Sequence, residues 1–196
     1  MTWAPVYETA ANLRTYMGMA AVTADAGDIA VDTIVLTPAL TAASRLIDIA
    51  CDRQFGLVGS VEDRLYDSEY SLHRQTWYID IDDLMTVTGL VVKIDTLTIA
   101  AADYTLRPLN AAPKGWPWTA MDVPSGNTVT VTASWGWTAV PTTIKNAALL
   151  QASRIAKRRD SPFGVAGSPD LGNELRLLER LDPDVALMVA AYRRYW

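Results

Sequence analysis

The stretch Thr128–Gly164 reads TVTVTASWGWTAVPTTIKNAALLQASRIAKRRDSPFG, and it joins two structural periods at one corner. Val129, Val131, Ala133 and Trp135 alternate with Thr130, Thr132 and Ser134, the period-2 pattern of a half-buried strand. After Trp135-Gly136-Trp137, Pro141 suits the first turn of a helix, where its missing N–H leaves nothing unpaired. Ile144, Ala147, Ala148, Gln151 and Ile155 follow at helical spacing. Lys157, Arg158 and Arg159 then stand where the negative end of the helix dipole favours cations. The stretch carries no nucleophile, metal cluster or phosphate loop and reads as architecture.

Upstream of this corner the period is that of short strands. Strands are predicted at Val61–Tyr66, Trp77–Ile81, Leu90–Ile94, Leu97–Ile99, Tyr104–Arg107 and Thr128–Trp135, with Asp95-Thr96 as a tight hairpin turn. Ala111–Asn127 holds Pro113, Gly115, Pro117 and Pro124 and is predicted to be an exposed loop. Further out the helical period returns. Glu8–Met19 reads as a short helix and Asp28–Leu36 as weakly helical. Thr37-Pro38 has the order of a helix start, and Leu40, Ala43, Ile47, Ala50 and Cys51 form a buried stripe that Gly56 ends. Beyond the basic helix end comes a loop over Asp160–Gly172, and Leu171, Leu175 and Leu178 mark a short helix. Asp182-Pro183 caps a last one striped by Val185, Met188, Val189, Tyr192 and Trp196. The expected fold is α+β: N- and C-terminal helices (residues 1–59 and 138–196) forming a bundle, with a small antiparallel sheet domain (60–137) inserted between them.

Bulk properties narrow the function. The 196 residues are half hydrophobic with a mean hydropathy of +0.09, which suggests apolar surface reserved for partners or, equally, an alanine-rich core. The net charge of −5 is uneven: residues 1–140 carry −8 and residues 141–196 carry +3. An acidic chain does not grip DNA by releasing counterions, although an acidic surface can line a path along which DNA slides. A single cysteine, Cys51, excludes an intrachain disulfide and fits a protein made in a reducing cytoplasm. The N-terminus has no signal-peptide pattern. The apolar run Val185–Tyr192 is far short of a membrane span, so no membrane partner is expected.

Candidate chemical groups read more simply as structure. His73, the only histidine, lies in a polar linker with no nucleophile or carboxylate set beside it. Cys51 sits on an apolar stripe near Asp48 and Asp52, the setting of an inert buried thiol. Asp80 and Asp82 alternate with Ile79 and Ile81 as on the wet face of a strand, and Asp83 is read as starting a turn; the spacing is not that of a calcium loop. No catalytic residue, cofactor site or metal site is predicted. Three segments have the composition of contact surfaces instead. Tyr192-Arg193-Arg194-Tyr195-Trp196 mixes aromatic and arginine residues, both enriched at interfaces. Trp116 and Trp118 flank Pro117 in the predicted loop. Lys157–Arg159 reads first as a solvated helix end and second as a contact to nucleic acid or a neighbour.

These residues resemble the head–tail connector (adaptor) proteins of tailed bacteriophages. The likeness rests on the order and spacing of three patterns: Ala43-Ser44-Arg45-Leu46-Ile47-Asp48 leading to Arg53-Gln54-Phe55-Gly56; Trp135-Gly136-Trp137 through Val140-Pro141, Ile144 and Ala147 to Arg158-Arg159 and Ser161-Pro162-Phe163-Gly164; and Leu178, Leu181-Asp182-Pro183, Tyr192-Arg193-Arg194. The resemblance implies a structural virion protein, not an enzyme. Such adaptors form a ring, typically of twelve copies, beneath the portal; the ring extends the DNA channel and offers a platform to the stopper or tail. On that reading Tyr192–Trp196 dock on the portal, Lys157–Arg159 face a neighbouring subunit or the channel, and Trp116 and Trp118 contact partners. DNA passes without sequence-specific binding, and a closed ring needs two complementary patches per subunit. A carbohydrate- or receptor-binding module using exposed tryptophans is the competing expectation.

Overall fold

A computed structural model describes residues 3–20, 26–158, 165–166, 175–176 and 181–194. The fold is α+β, and the chain divides into two compact units: Met1–Phe55 with Val140–Trp196, and Gly56–Ala139.

The first unit is helical. Helix α1 (Ala10–Tyr16) starts at Thr9, whose hydroxyl accepts the Asn12 N–H at 3.2 Å. The next helical stretch runs unbroken from Ala26 to Cys51: α2 (Ala26–Val31), a wide π turn (Asp32–Leu36) and α3 (Thr37–Cys51). Thr37-Pro38 therefore does not start a helix. Pro38 has no N–H for the Ile34 carbonyl, and its ring would crowd that carbonyl in a regular α turn. The π turn just before it, with the Thr37 N–H bonded to the Asp32 carbonyl, widens the coil at that point and lets the helix pass through. Buried Arg14 ties α1 to this turn, with its Nε on Asp32 and an Nη2–H donated to the Asp28 carbonyl at 2.9 Å. Leu40, Ala43, Ile47 and Cys51 are buried as their spacing predicts. The helix stops at Asp52, in the left-handed region with φ 51°, rather than at Gly56.

Helix α4 (Thr142–Arg158) buries Ile144, Ala147, Ala148, Gln151, Ala152 and Ala156. Its alanines meet Leu13, Leu36, Ala39, Leu40 and Ala43 in one core, the small side chains letting the helices approach closely. Helix α5 (Pro183–Ala190) is capped by Asp182, which accepts the Asp184 N–H at 2.7 Å. Asp182 is itself ion-paired with Arg154, and its N–H is donated to Gln151 Oε1 at 3.1 Å. The short helix predicted around Leu175 is instead a strand pair, Val165–Ala166 against Leu175–Arg176; Leu171 and Leu178 lie outside the described residues.

A polar cluster holds the end of α3. Tyr7, buried, donates its hydroxyl proton to Asp48 Oδ1 and accepts the Phe55 N–H at 3.0 Å, while Arg45 pairs with Asp48 at 3.1 Å. Burial pushes the Asp48 carboxyl above its usual range despite the Tyr7 hydrogen bond and Arg45, which pull the other way.

The second unit holds eight strands: β1 (Glu62–Asp67), β2 (Glu69–Ser71), β3 (Thr76–Leu84), β4 (Val91–Ile94), β5 (Leu97–Ile99), β6 (Thr105–Arg107), β7 (Trp118–Val123) and β8 (Thr128–Ala133). They form two antiparallel four-stranded sheets, ordered β1-β8-β4-β5 and β2-β3-β7-β6. Six strands stand where the alternation placed them, and Asp95 makes the β4–β5 turn with φ 54°. Two differ. Strand β2 extends the path of β1 into the other sheet after Ser68. Ala111–Asn127 is not an exposed loop, because it contains β7, an interior strand whose Ala120, Met121, Asp122 and Val123 are buried. Asp83 is also not in a turn; it lies inside β3, past a register irregularity that begins at Asp80.

The corner at Gly136 closes this unit. The Gly136 N–H is donated to the Asp83 carbonyl at 2.7 Å, and the Trp137 N–H to the Gly56 carbonyl at 2.9 Å. The Val58 N–H reaches back to the Trp135 carbonyl at 2.8 Å. Both indoles are fixed by their ring nitrogens: Trp135 Nε1 donates to the Glu62 carbonyl at 2.9 Å and Trp137 Nε1 to Asp83 Oδ2 at 2.7 Å. Gly136 has φ +102°, and a Cβ there would lie 2.1 Å from the Gly56 carbonyl oxygen.

Two outcomes follow for stability. Gly136→Ala should lower it by about 3 kcal/mol or more, since neither the backbone angle nor the facing carbonyl can give; a denaturant midpoint close to wild type would refute this. The Asp48 pKa is higher folded than unfolded, so stability is greatest below the unfolded carboxylate pKa of about 4 and falls as pH rises through the folded value. Asp48→Asn keeps an acceptor for Tyr7 and removes that loss. Urea unfolding at pH 4 and pH 7 should show the variant gaining on wild type at the higher pH.

Candidate docking surfaces

Folding gives the C-terminal aromatic and arginine residues internal partners. The Tyr192 ring meets Phe55 edge-on at 5.7 Å and 81°, and Phe55 also meets Tyr7 edge-on at 5.7 Å and 78°. The Arg194 N–H is donated to the Cys51 carbonyl at 2.8 Å, satisfying an acceptor that the end of α3 leaves open. Arg194 is 8% exposed, whereas the Arg193 side chain is exposed beside it. Tyr192 and Arg194 are thus parts of the helical unit rather than a free peptide. Tyr195 and Trp196 lie outside the described residues. Cys51 beneath them is buried, its thiol 3.8 Å from the Val189 carbonyl and pushed up to about 12 by burial, which makes it the inert thiol expected.

The basic end of α4 stands where the sequence puts it. Lys157 is exposed and Arg158 half-buried on the last turn, and Arg159 lies outside the described residues.

Trp116 and Trp118 do not project from a loop. Trp118 opens β7 opposite Leu84, and Trp116 packs edge-on against Trp137 at 5.7 Å and 69°; both are half-buried. His73 is exposed in the turn between β2 and β3, as expected of a solvated residue. Asp82 faces outward and binds Arg64 at 2.8 Å and the Tyr66 hydroxyl at 2.8 Å. Among the described residues no group of histidine, cysteine or carboxylate side chains is arranged to hold a metal ion.

Two features went unread in the sequence. The first is an open cleft of about 320 Å³ on the second sheet, lined by Arg74, Thr76, Thr105, Arg107 and Asp122 among others. Asp122 accepts from Arg107 Nε at 2.7 Å and Arg74 Nη1 at 3.3 Å, so its carboxylate links two strands to the hairpin tip. The second is apolar. The long helix exposes Ile34, Pro38, Ala42 and Ile49 on the side away from its core, with Ile34 70% and Ile49 78% exposed. Helix α5 likewise buries Val185 and Val189 but exposes Ala186, Leu187 and Ala190, Leu187 at 79%. The signal was present as apolar residues filling both sides of each helix, but a single buried stripe accounts for only one side.

No protein-family model matches the chain, and no curated protein matches it. Among the solved structures that share its fold are two of gene transfer agent particles. One is the neck of an empty gene transfer agent (GTA) particle computed with C6 symmetry, with a TM-score of 0.55 and 18% identity, covering 100% of this chain and 94% of that one. The other is the virion of a native GTA particle, with a TM-score of 0.51 and 18% identity over the same shares. The likeness is one of fold, and it spans both the helical unit and its inserted sheets.

Proposed function

We propose that this chain is a structural protein of the neck of a tailed-phage-like particle, an adaptor that rings the DNA path beneath the portal and gives the tail its platform. The observation that carries this is the whole-chain likeness to a particle neck: helices at both ends and the inserted sheets align together with 94% of that protein. The residue patterns around Arg53–Gly56, Trp135–Ala147 and Leu181–Arg194 point the same way. A neck treated with C6 symmetry accommodates a ring of twelve copies as readily as six. The acidic body, at −8 over residues 1–140, suits a channel through which DNA moves without adhering.

In this reading the C-terminal end meets the portal, with Arg193 and the terminal Tyr195-Trp196 as the contacting residues and Tyr192 and Arg194 as their anchor. Lys157, Arg158 and Arg159 lie toward a neighbouring subunit or the channel. The sheet unit faces neighbours or the stopper or tail protein. The mature protein resides in the virion.

Negative-stain imaging of the purified chain, alone and mixed with tail-less heads, tests the proposal. Rings, or added density at a single vertex, are expected; monomers with bare vertices would overturn it. Arg193→Glu combined with removal of Tyr195 and Trp196 should leave the thermal midpoint unchanged while abolishing attachment to heads. Attachment at the wild-type level would remove the portal role from this segment. Lys157→Glu with Arg158→Glu should reduce ring yield or DNA retention several-fold, and normal particles would argue against their placement.

A further inference from the structure

We propose that the cleft on the second sheet is a carboxylate-binding site, in which Arg74 and Arg107, oriented by Asp122, take one carboxylate of the kind an aspartate or glutamate side chain presents. The inference goes beyond the ring reading, because the site would bind such a group on an isolated chain.

The cleft departs from the charge of its surroundings. Gly56–Ala139 carries five Lys and Arg against ten Asp and Glu, yet two of those five cations meet at one carboxylate. Asp122 is buried on β7, in register between Tyr78 of β3 and Thr105 of β6. A charge in that place needs a partner, and one arginine giving two parallel N–H bonds would supply it. Instead the carboxylate is divided between two arginines. Arg107 gives it only the Nε–H, to Oδ2 at 2.7 Å, and Arg74 only an Nη1–H, to Oδ1 at 3.3 Å. Among the described residues neither guanidinium has another acceptor.

What Arg107 keeps is its terminal edge, the two Nη groups, which match the paired oxygens of a carboxylate. The arginine side chains are 36% and 44% exposed against 11% for Asp122, so their unused N–H groups are within reach of a ligand. Arg74 also lies over the Tyr78 ring at 5.3 Å. Both guanidiniums are thus oriented before a ligand arrives, which lowers the entropy lost on binding.

Charge and size select the ligand. Two arginines against Asp122 leave one positive charge, enough for a monoanion. Asp103, exposed on the same cleft, and the negative excess of the unit oppose a second negative charge. A phosphate dianion is disfavoured on that ground, and a DNA backbone more so. The open cleft of about 320 Å³ admits one acidic side chain, with exposed Pro124 on its wall to meet the methylene stem.

NMR of the full-length chain, following the Nε–Hε signals of Arg74 and Arg107, tests this with N-acetylglutamate α-amide as the probe. Both signals should move saturably with a Kd on the order of 10 mM, and the neutral glutamine analogue should leave them still. Inorganic phosphate at equal ionic strength should bind about five-fold more weakly or not at all. Arg107→Lys keeps a donor for Asp122 but loses the fork, and should weaken the probe about five-fold at an unchanged thermal midpoint. Asp103→Asn, at a residue paired with neither arginine, should tighten it about two-fold. No saturable shift in the wild-type chain, or phosphate binding more tightly than the probe, would overturn the site. The source of the carboxylate is read on tail-less heads. Arg107→Lys should attach several-fold less well if a protein partner supplies the group, and as well as wild type if a small acid does. Failure of the wild-type chain to form rings or attach would overturn the ring reading and leave this site to the titration.

Discussion

The inserted unit depends on one close approach of backbone to backbone. Gly136 brings the end of β8 against Gly56 and Asp83 so closely that no side chain fits between them. From that point the hydrogen bonds radiate. The main chain of Asp83 takes the Gly136 N–H, and its carboxylate takes the Trp137 indole, so one residue of β3 fixes both the turn and the ring that follows it. On the other side Trp135 anchors β1 through the Glu62 carbonyl and lies under the Arg64 guanidinium at 4.8 Å. A corner made this way ties the entry of the unit to its exit, which two four-stranded sheets with free edges would not otherwise secure.

The helical unit is organised differently. Its interior is built from alanines and short aliphatics, and its buried polar groups are pinned locally: Arg14 on the π turn, Tyr7 and Asp48 at the end of α3, Asp182 on Arg154 and Gln151. What the unit leaves over is surface, apolar on two helices and basic at the end of a third.

The strand-to-helix junction was legible because two periods meet there with a proline marking the change, and the structure follows the reading almost residue by residue. Strand β7 was hidden by its surroundings. Trp118–Val123 sits between Pro117 and Pro124, and Asp122 breaks its apolar run, so composition pointed to a loop; only the arginines of β6 and the hairpin tip explain a carboxylate inside a sheet. Pro38 misled for a related reason. Proline after threonine is the usual mark of a helix start, and a π turn that carries a helix past it has no signature in one sequence. The C-terminal Tyr-Arg-Arg was ambiguous by nature, because aromatic and arginine residues serve interiors and interfaces alike. Tyr192 and Arg194 turned inward, and Arg193 did not.

The hydrogen bond from Trp137 to Gly56 has a consequence for how the chain folds. Ninety residues separate α3 from α4, and joining the helical core across a loose loop of that length carries a large entropy of closure. The sheet unit is continuous in sequence and can form from its own residues. Once it has, its two ends are adjacent, and the helices on either side are connected by what is in effect a short turn. By the logarithmic dependence on loop length, that shortening is worth about 2 kcal/mol to the helical core.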